Sequence, residues 1–396
     1  MGKIKVVHII TKLELGGAQE NTIFTVKHLD RGSYEPVLIS GTEGILVEEA
    51  RTLEGVSIHL IPELVREIRP FKDVRALLKM RSILRKLQQE VTRESAGMPP
   101  HIIVHTHSSK AGILGRWAAR LAGIKLTVHS VHGFSFNDFQ PSLVRAFYIC
   151  LERITARITT CFIAVSDANR EEGIESGIFT DNNVSLIRSG IDIGRFQAVT
   201  CDRVTMRRTL GVDDHAPLVA MISCFKPQKA PLDFIRVAKV VLNEMSDVHF
   251  LLVGDGVLRP AIEKLIGELQ IRDKILLAGW RRDIPEIMQC LDLLVLTSLW
   301  EGLPRVLPEA MASGIPVVAS RVNGSPEAIK DGVNGYLLPP RAITEMAQKV
   351  IQLLRDPQKA RAMGERGREL VQEFDIWKML KQQEILYANL YKNGLP

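Results

Sequence analysis

Glu301 and Glu309 lie in the stretch Leu296-Thr297-Ser298-Leu299-Trp300-Glu301-Gly302-Leu303-Pro304-Arg305-Val306-Leu307-Pro308-Glu309-Ala310-Met311-Ala312-Ser313-Gly314. It reads as strand, loop, helix, with Glu301 in the loop and Glu309 in the first helical turn. The two carboxylates therefore approach one pocket from different elements rather than along one helix face. An ionised carboxylate accepts two hydrogen bonds side by side, which suits the paired hydroxyls of a ribose or a hexose. Gly302, Leu303 and Pro304 lie between the two acids as further donor-binding candidates, and the backbone donors and positive dipole end at the start of the following helix favour a phosphate. Taken singly, each acid also has an ordinary explanation: Glu309 as charge compensation at a helix start, Glu301 as a solvated loop residue.

Other chemistry-bearing residues also follow strand ends. Lys226 and Lys229 lie in Ser223-Cys224-Phe225-Lys226-Pro227-Gln228-Lys229, and Gly16 and Gly17 follow the first strand, where glycine lets a backbone approach a ligand closely. His107 and Ser108 end one strand, and His132-Gly133-Phe134 follows another. The imidazole of His132 can donate to a sugar hydroxyl at neutral pH. A metal site among His101, His105, His107, His129 and His132 is disfavoured, because no Cys or acid is suitably spaced beside them. The chain also has no Asp-x-Asp. No metal is expected, and the cations for an anionic ligand should come from lysine.

These residues need strands and helices in alternation to hold them. Ile4 to Ile10, His101 to His107, Lys125 to Val131 and Thr160 to Val165 read as strands, separated by helical patterns such as Ala111 to Ala122. The alternation pauses near Val184 to Asp192 and restarts with strands at Leu218 to Ser223, Val248 to Val253, Ile275 to Ala278, Leu293 to Thr297, Pro316 to Ala319 and Gly335 to Leu338. A parallel sheet wrapped by helices is predicted on each side of the pause. The chain is α/β, with a first domain over 1–188, a second over 189–375 and a helical segment 376–396 crossing back to the first. Two such doubly wound sheets would place the carboxyl ends of their strands around one interdomain cleft.

At 396 residues, 46% hydrophobic and 24% charged, the chain has the composition of a folded two-domain protein rather than a disordered or fibrous one. Five scattered cysteines without a Cys-x-x-Cys pair argue against a disulfide framework or zinc site and for a reducing cytoplasm. The opening residues read as a strand rather than a signal peptide, and no apolar run is long enough to cross a bilayer. A net charge of +6 leaves room for an anionic partner. Residues 66 to 93 hold nine Lys or Arg against three acids, matching that whole excess. A stripe of Leu77, Met80, Leu84, Leu87 and Val91 makes this segment either a core-facing helix with a basic outer side or a helix docking on an anionic membrane leaflet. Nucleic acid is not expected as a partner.

With Gly314-Ile315-Pro316-Val317-Val318-Ala319-Ser320, Asn323-Gly324-Ser325-Pro326-Glu327-Ala328-Ile329 and Gly332-Val333-Asn334-Gly335 added, the chain resembles the retaining glycosyltransferase family 4, of the two-domain GT-B fold with Rossmann-like halves. The resemblance covers nearly the whole chain. It puts the family's Glu-x7-Glu element on Glu301 and Glu309, and implies that Glu309 binds the ribose of a nucleotide-sugar donor while Glu301 touches its sugar. It implies that Gly16 and Gly17 face the donor phosphates and that His132 stands near the transferred sugar. The family usually aims an Arg and a Lys at the diphosphate. Lys229 matches the lysine, Cys224 stands at the arginine position, and Lys226 is expected to supply the missing cation.

The stretch from His105 to Arg116 looks like the capsular and exopolysaccharide branch. This implies a saccharide or polyprenyl-linked acceptor near His107, Ser108 and Phe134. The expected activity is retaining, metal-independent transfer of a hexose-type sugar, with no cofactor beyond the donor and a UDP-sugar favoured over a GDP-sugar. The expected place is the cytoplasm, peripheral at the inner face of the membrane. An epimerase or phosphorylase on the same fold, or a non-catalytic sugar-nucleotide-binding subunit, stays open as an alternative. A dehydrogenase is disfavoured because Gly254-Asp255-Gly256-Val257-Leu258-Arg259 lacks the third glycine of a dinucleotide fingerprint.

Overall fold

A computed structural model describes residues 3–94 and 101–392. The chain divides into two compact units, one running to Gly190 and including the C-terminal helix from Ile376, the other spanning Ile191–Asp375.

The first unit holds a seven-stranded sheet of β1 (Ile4–Ile10), β2 (Tyr34–Ser40), β3 (Ser57–Leu60), β4 (Ile102–His107), β5 (Thr127–Val131), β6 (Cys161–Ala164) and β7 (Val184–Leu186). The strand order is β3-β2-β1-β4-β5-β6-β7, and every pairing is parallel. The inner strands are buried end to end, as a sheet covered by helices on both faces requires. The pause expected near Val184 is in fact the edge strand β7. Order reverses between β1 and β4, the switch point at which ligands of such sheets bind.

The second unit holds β8 (Leu218–Ile222), β9 (His249–Val253), β10 (Ile275–Gly279), β11 (Leu293–Leu296), β12 (Val317–Ser320) and β13 (Gly335–Leu338). These run β10-β9-β8-β11-β12-β13, again all parallel, with the switch point between β8 and β11.

The C-terminal helix Ile376–Lys392 packs Ile376, Met379, Leu380 and Tyr387 onto Ile4, Val6, Ile103 and Val128 of the first sheet. Its polar contacts fix the register. Tyr387 Oη meets His105 Nδ1 at 2.6 Å, Tyr34 Oη donates to the Glu384 carbonyl at 2.8 Å, and Tyr391 Oη lies 3.1 Å from His101 Nε2. Gly190 has to be a glycine, since a Cβ there would lie 2.4 Å from Ile376 Cα. The helix is thus sealed onto the first unit where the chain leaves it.

In the basic helix Pro70–Glu94, Met80, Leu84, Leu87 and Val91 are buried in the core of the first unit and Leu77 is half-buried. The stripe read from the sequence is therefore the core-facing one. A different row, Ile68, Phe71, Val74 and Leu78, is exposed, with Phe71 at 89%.

Candidate active site

In the second unit, the carboxyl ends of the neighbouring strands β8 and β11 bring the lysine loop and the glutamate loop together. After β8, Pro227–Lys229 forms a single 3-10 turn. Its exit residue Ala230 is held in the left-handed region at φ 45°, at a cost of about 1–2 kcal/mol for a residue with a Cβ. Two bonds hold it there: Thr297 Oγ1, just past β11, donates to the Ala230 carbonyl at 2.9 Å, and the Ala230 amide donates to the Pro227 carbonyl at 3.1 Å. The Leu299 amide donates to the Gln228 carbonyl at 2.8 Å, and Gln228 Nε2 donates back to the Trp300 carbonyl at 2.9 Å. The outcome is an ion pair, Lys229 Nζ to Glu301 Oε1 at 2.5 Å, with the side chains 18% and 5% exposed. Ser298 Oγ donates to the same oxygen at 2.6 Å.

Lys229 and Glu301, each expected from the sequence to meet a donor, are partners of each other in the structure. A buried carboxylate needs such company, because an unpaired charge away from water costs several kcal/mol. The pair places a cation and an anion side by side at the carboxyl ends of β8 and β11.

The glutamate loop is held from its other side as well. Asn323 Oδ1 accepts from the Glu301 amide at 3.0 Å, and the Gly324 amide donates to the Gly302 carbonyl at 3.0 Å. Gly302, Leu303 and Pro304 are buried. The helix Val306–Ser313 then starts, buries Leu307, Ala310 and Met311, and ends at Gly314 in the left-handed region at φ 72°. Glu309 sits in its first turn, and Arg305 Nη2 lies 3.8 Å from Glu309 Oε1, both side chains mostly buried. Arg305 was passed over in the sequence, although it stands inside the most informative stretch. Its signal was an arginine between two glutamates at a helix start.

The second lysine, Lys226, caps the 3-10 turn and is half-buried; Cys224, two residues before it, is half-buried too. Gly254-Asp255-Gly256 packs beneath this loop. A Cβ at Gly254 would lie 1.9 Å from the Ser223 carbonyl oxygen, and the Phe225 amide donates to the Asp255 carbonyl at 2.8 Å. Those glycines thus serve close packing of two loops.

In the first unit, Gly16-Gly17, Ser108 and His132 follow β1, β4 and β5, and His107 ends β4; these strands are neighbours in the sheet, so all lie along its carboxyl edge. Gly16 caps the helix Gly17–His28 without a side chain to bond its first amides. Ser108 lies at φ 59°, ψ 155°, a conformation natural to glycine alone and worth about 1–3 kcal/mol of strain. Thr11 Oγ1 pins it through a 2.9 Å bond to Ser108 Oγ and accepts from the Ala111 amide at 3.0 Å. Phe134 stacks on Phe136 at 4.7 Å between ring centres and packs on a buried cluster with Phe162 and Phe179.

His107 does not share the accessibility of Ser108. Its ring is buried and both nitrogens are engaged: Nε2 by His8 Nδ1 at 3.0 Å, Nδ1 by His132 Nε2 at 3.3 Å. Direct contact with an acceptor therefore has no ring nitrogen left to use. Burial drives His8 down to about 3 and takes His105, His107 and His129 well below the ordinary histidine range, so these rings are neutral at pH 7. His105 lies between Tyr387 Oη and Ser130 Oγ at 2.6 and 2.8 Å, His129 bonds Thr106 Oγ1 at 2.9 Å, and His101 faces Tyr391. The histidines weighed for a metal are thus divided among different partners. His8, His105 and His107 do bring one nitrogen each within 4.8 Å of one another. His8 was missed, though a histidine inside the apolar run Ile4–Ile10 was visible, and the strand register places it beside His105.

Residues 15–195 match the family model described as Glycosyltransferase Family 4, and residues 202–370 match Glycosyl transferases group 1. The UDP-Gal:alpha-D-GlcNAc-diphosphoundecaprenol alpha-1,3-galactosyltransferase of Escherichia coli is 31% identical over 99% of this chain and 98% of its own. The N-acetyl-alpha-D-glucosaminyl L-malate synthase of Bacillus anthracis is 36% identical over 49% of this chain and 51% of its own. The crystal structure of Anabaena HepE in complex with UDP and glucose superposes with a TM-score of 0.80 at 22% identity, over 98% of this chain and all of that one; at that identity the likeness speaks for the fold. The paired parallel sheets, the two glutamates framing a helix start and an end-to-end relative at this identity converge: the chain belongs to the family 4 glycosyltransferases and has the GT-B fold.

Proposed function

We propose that this glycosyltransferase moves a hexose-type sugar, with retention of anomeric configuration and without a metal ion, from a UDP-sugar to a saccharide or polyprenyl-linked saccharide in surface polysaccharide assembly. The observation that carries this reading is the buried Lys229–Glu301 pair at the end of β8 and β11, with Glu309 in the first turn of the following helix. Glu309 holds the ribose, Glu301 orients a sugar hydroxyl, and Lys229 faces the diphosphate. Lys226 and Arg305 supply the further positive charge that Cys224 cannot. The name of the E. coli relative, with its UDP-Gal donor and diphosphoundecaprenol-linked acceptor, and the UDP and glucose bound to HepE support the choice of donor and acceptor class.

The acceptor hydroxyl attacks the anomeric carbon from the face the nucleotide leaves, and the departing phosphate oxygen takes its proton. Negative charge grows on the diphosphate as the bond breaks, so fixed cations and helix-start amides stabilise the transition state more than the ground state. In the first unit, His132 donates to a sugar hydroxyl, and Ser108 and Phe134 line the acceptor side. The protein acts peripherally at the inner face of the membrane. No described helix is long and apolar enough to cross one, but Ile68, Phe71, Val74 and Leu78 lie exposed among Arg66, Arg69, Lys72 and Arg75, a combination suited to an anionic leaflet.

A thermal-shift panel of nucleotide sugars followed by a transfer assay tests the reading. A ligand binding only the folded state raises the melting temperature. UDP-sugars should do so, and Lys229→Ala should abolish the shift. Transfer undiminished in Glu301→Ala or Lys229→Ala would refute the assignment; an isomerised donor or only free sugar would favour the epimerase or phosphorylase alternative.

A further inference from the structure

We propose that the buried pair His8 and His107 fixes which ring nitrogen of His132 carries its proton, making His132 Nδ1 the donor. His8 and His107 are then positioning residues. The proposal deepens the reading of His132 as a sugar-contacting group and rests on it for its functional consequence, although the tautomer itself is measured independently of transfer.

The geometry is a chain of three rings: His8 Nδ1 to His107 Nε2 at 3.0 Å, then His107 Nδ1 to His132 Nε2 at 3.3 Å. His8 and His107 are nearly parallel, with ring centres 5.2 Å apart, and both are buried. A neutral imidazole has one N–H and one bare nitrogen. The middle ring bonds through both nitrogens, so it must donate through one and accept through the other. Both bonds of the chain therefore point the same way.

Two directions exist. In one, His8 Nδ1–H donates to His107 Nε2 and His107 Nδ1–H donates to His132 Nε2, leaving the third proton on His132 Nδ1 and a bare nitrogen at His8 Nε2. In the other, every proton moves over by one nitrogen, and His8 Nε2 must carry an N–H. His8 Nε2 is buried and has no hydrogen-bond partner among the described residues. A buried N–H without an acceptor is among the rarest features of folded proteins, so the first direction is favoured. His105 does not disturb this choice, since its partners Tyr387 Oη and Ser130 Oγ are hydroxyls that donate or accept as required.

The same rings give the metal alternative its test. Five of the six nitrogens of His8, His105 and His107 already have hydrogen-bond partners, and an ion could be held only by breaking the chain that orients His132.

The experiment is nitrogen-15 NMR of the full chain labelled at histidine, at pH 7.5, comparing wild type, His107→Asn, His107→Leu and His8→Phe, with His132→Ala to assign the signal. The side-chain amide of His107→Asn can still donate toward His132 Nε2, whereas leucine cannot. Wild type and His107→Asn should show a protonated Nδ1 and bare Nε2 at His132, and His107→Leu should lose that preference. Transfer by His107→Leu should fall about two- to tenfold in kcat, the span of one hydrogen bond's contribution, with donor KM little changed and His107→Asn restoring most of it. A protonated Nε2 at His132 in wild type, or zinc retained at one equivalent after dialysis, overturns the proposal even if no His107 variant folds. If the tautomer is as stated but His132→Ala transfers normally, the sugar-contact reading fails while the relay stands.

Discussion

Acid should unfold this protein through its neutral histidines. His8 is fully buried and its folded-state value is about 3, against an ordinary value of 6.5. The unfolded chain therefore binds a proton below pH 6.5 that the folded chain refuses. Stability is present in full above 6.5 and falls as pH drops toward 3. Between pH 7.5 and pH 5, protonation of an unfolded histidine with that ordinary value is worth about 2 kcal/mol, and the folded group offsets almost none of it. His105, His107 and His129 are shifted in the same direction by the same cause and act in the same sense. The loss at His8 alone is a sizeable part of a typical 5–15 kcal/mol. The assay is urea unfolding at half-unit pH steps from 7.5 to 5, with proton uptake on unfolding measured calorimetrically in buffers of different ionisation heat. His8→Phe should take up close to one proton fewer near pH 5 than wild type. Equal uptake by the two proteins, or midpoints independent of pH over this range, would refute the reasoning.

Four further outcomes are expected. Glu301→Ala and Lys229→Ala should each lower transfer about 100-fold or more, as removal of a single transition-state donor does, in an end-point assay with saturating donor. Cys224→Arg should tighten donor binding by roughly 10- to 100-fold, the value of one charged hydrogen bond, and should make Lys226→Ala nearly silent in the same titration; unchanged affinity would remove Cys224 from the diphosphate loop. Ser108→Gly should stabilise the fold by about 1 kcal/mol through release of backbone strain while lowering transfer, read by denaturant midpoint and kcat. Arg116 and Glu152 form a fully buried pair at 2.7 Å, so Glu152→Leu should cost about 3–5 kcal/mol by leaving the arginine charge uncompensated, visible as a lowered unfolding midpoint.

Periodicity made most of the architecture legible. Strands such as Ile4–Ile10 and Gly335–Leu338 were legible because a strand buried on both faces is mostly apolar along its length. β7 was hidden because Val184–Leu186 is a short, half-buried edge strand with no such run. The glutamate and lysine loops were legible as chemistry, but not as a pair: the contact between Lys229 and Glu301 exists only because β8 and β11, far apart in sequence, are neighbours in the sheet. For the basic helix the sequence left two readings open, and packing chose the core-facing one for the stripe of Met80, Leu84, Leu87 and Val91. His8 was obscure because one histidine in a hydrophobic strand carries no spacing signal until the β1–β4 register sets it opposite His105.

Donor-site chemistry of the proposed kind shows most plainly in the configuration of the new bond. The purified chain, given a UDP-hexose of α configuration and its acceptor, should yield a glycoside whose anomeric proton reports the α configuration by NMR, in a reaction insensitive to chelator and lost in Glu301→Ala. A product of inverted configuration, or one that forms only when a divalent ion is supplied, would contradict it.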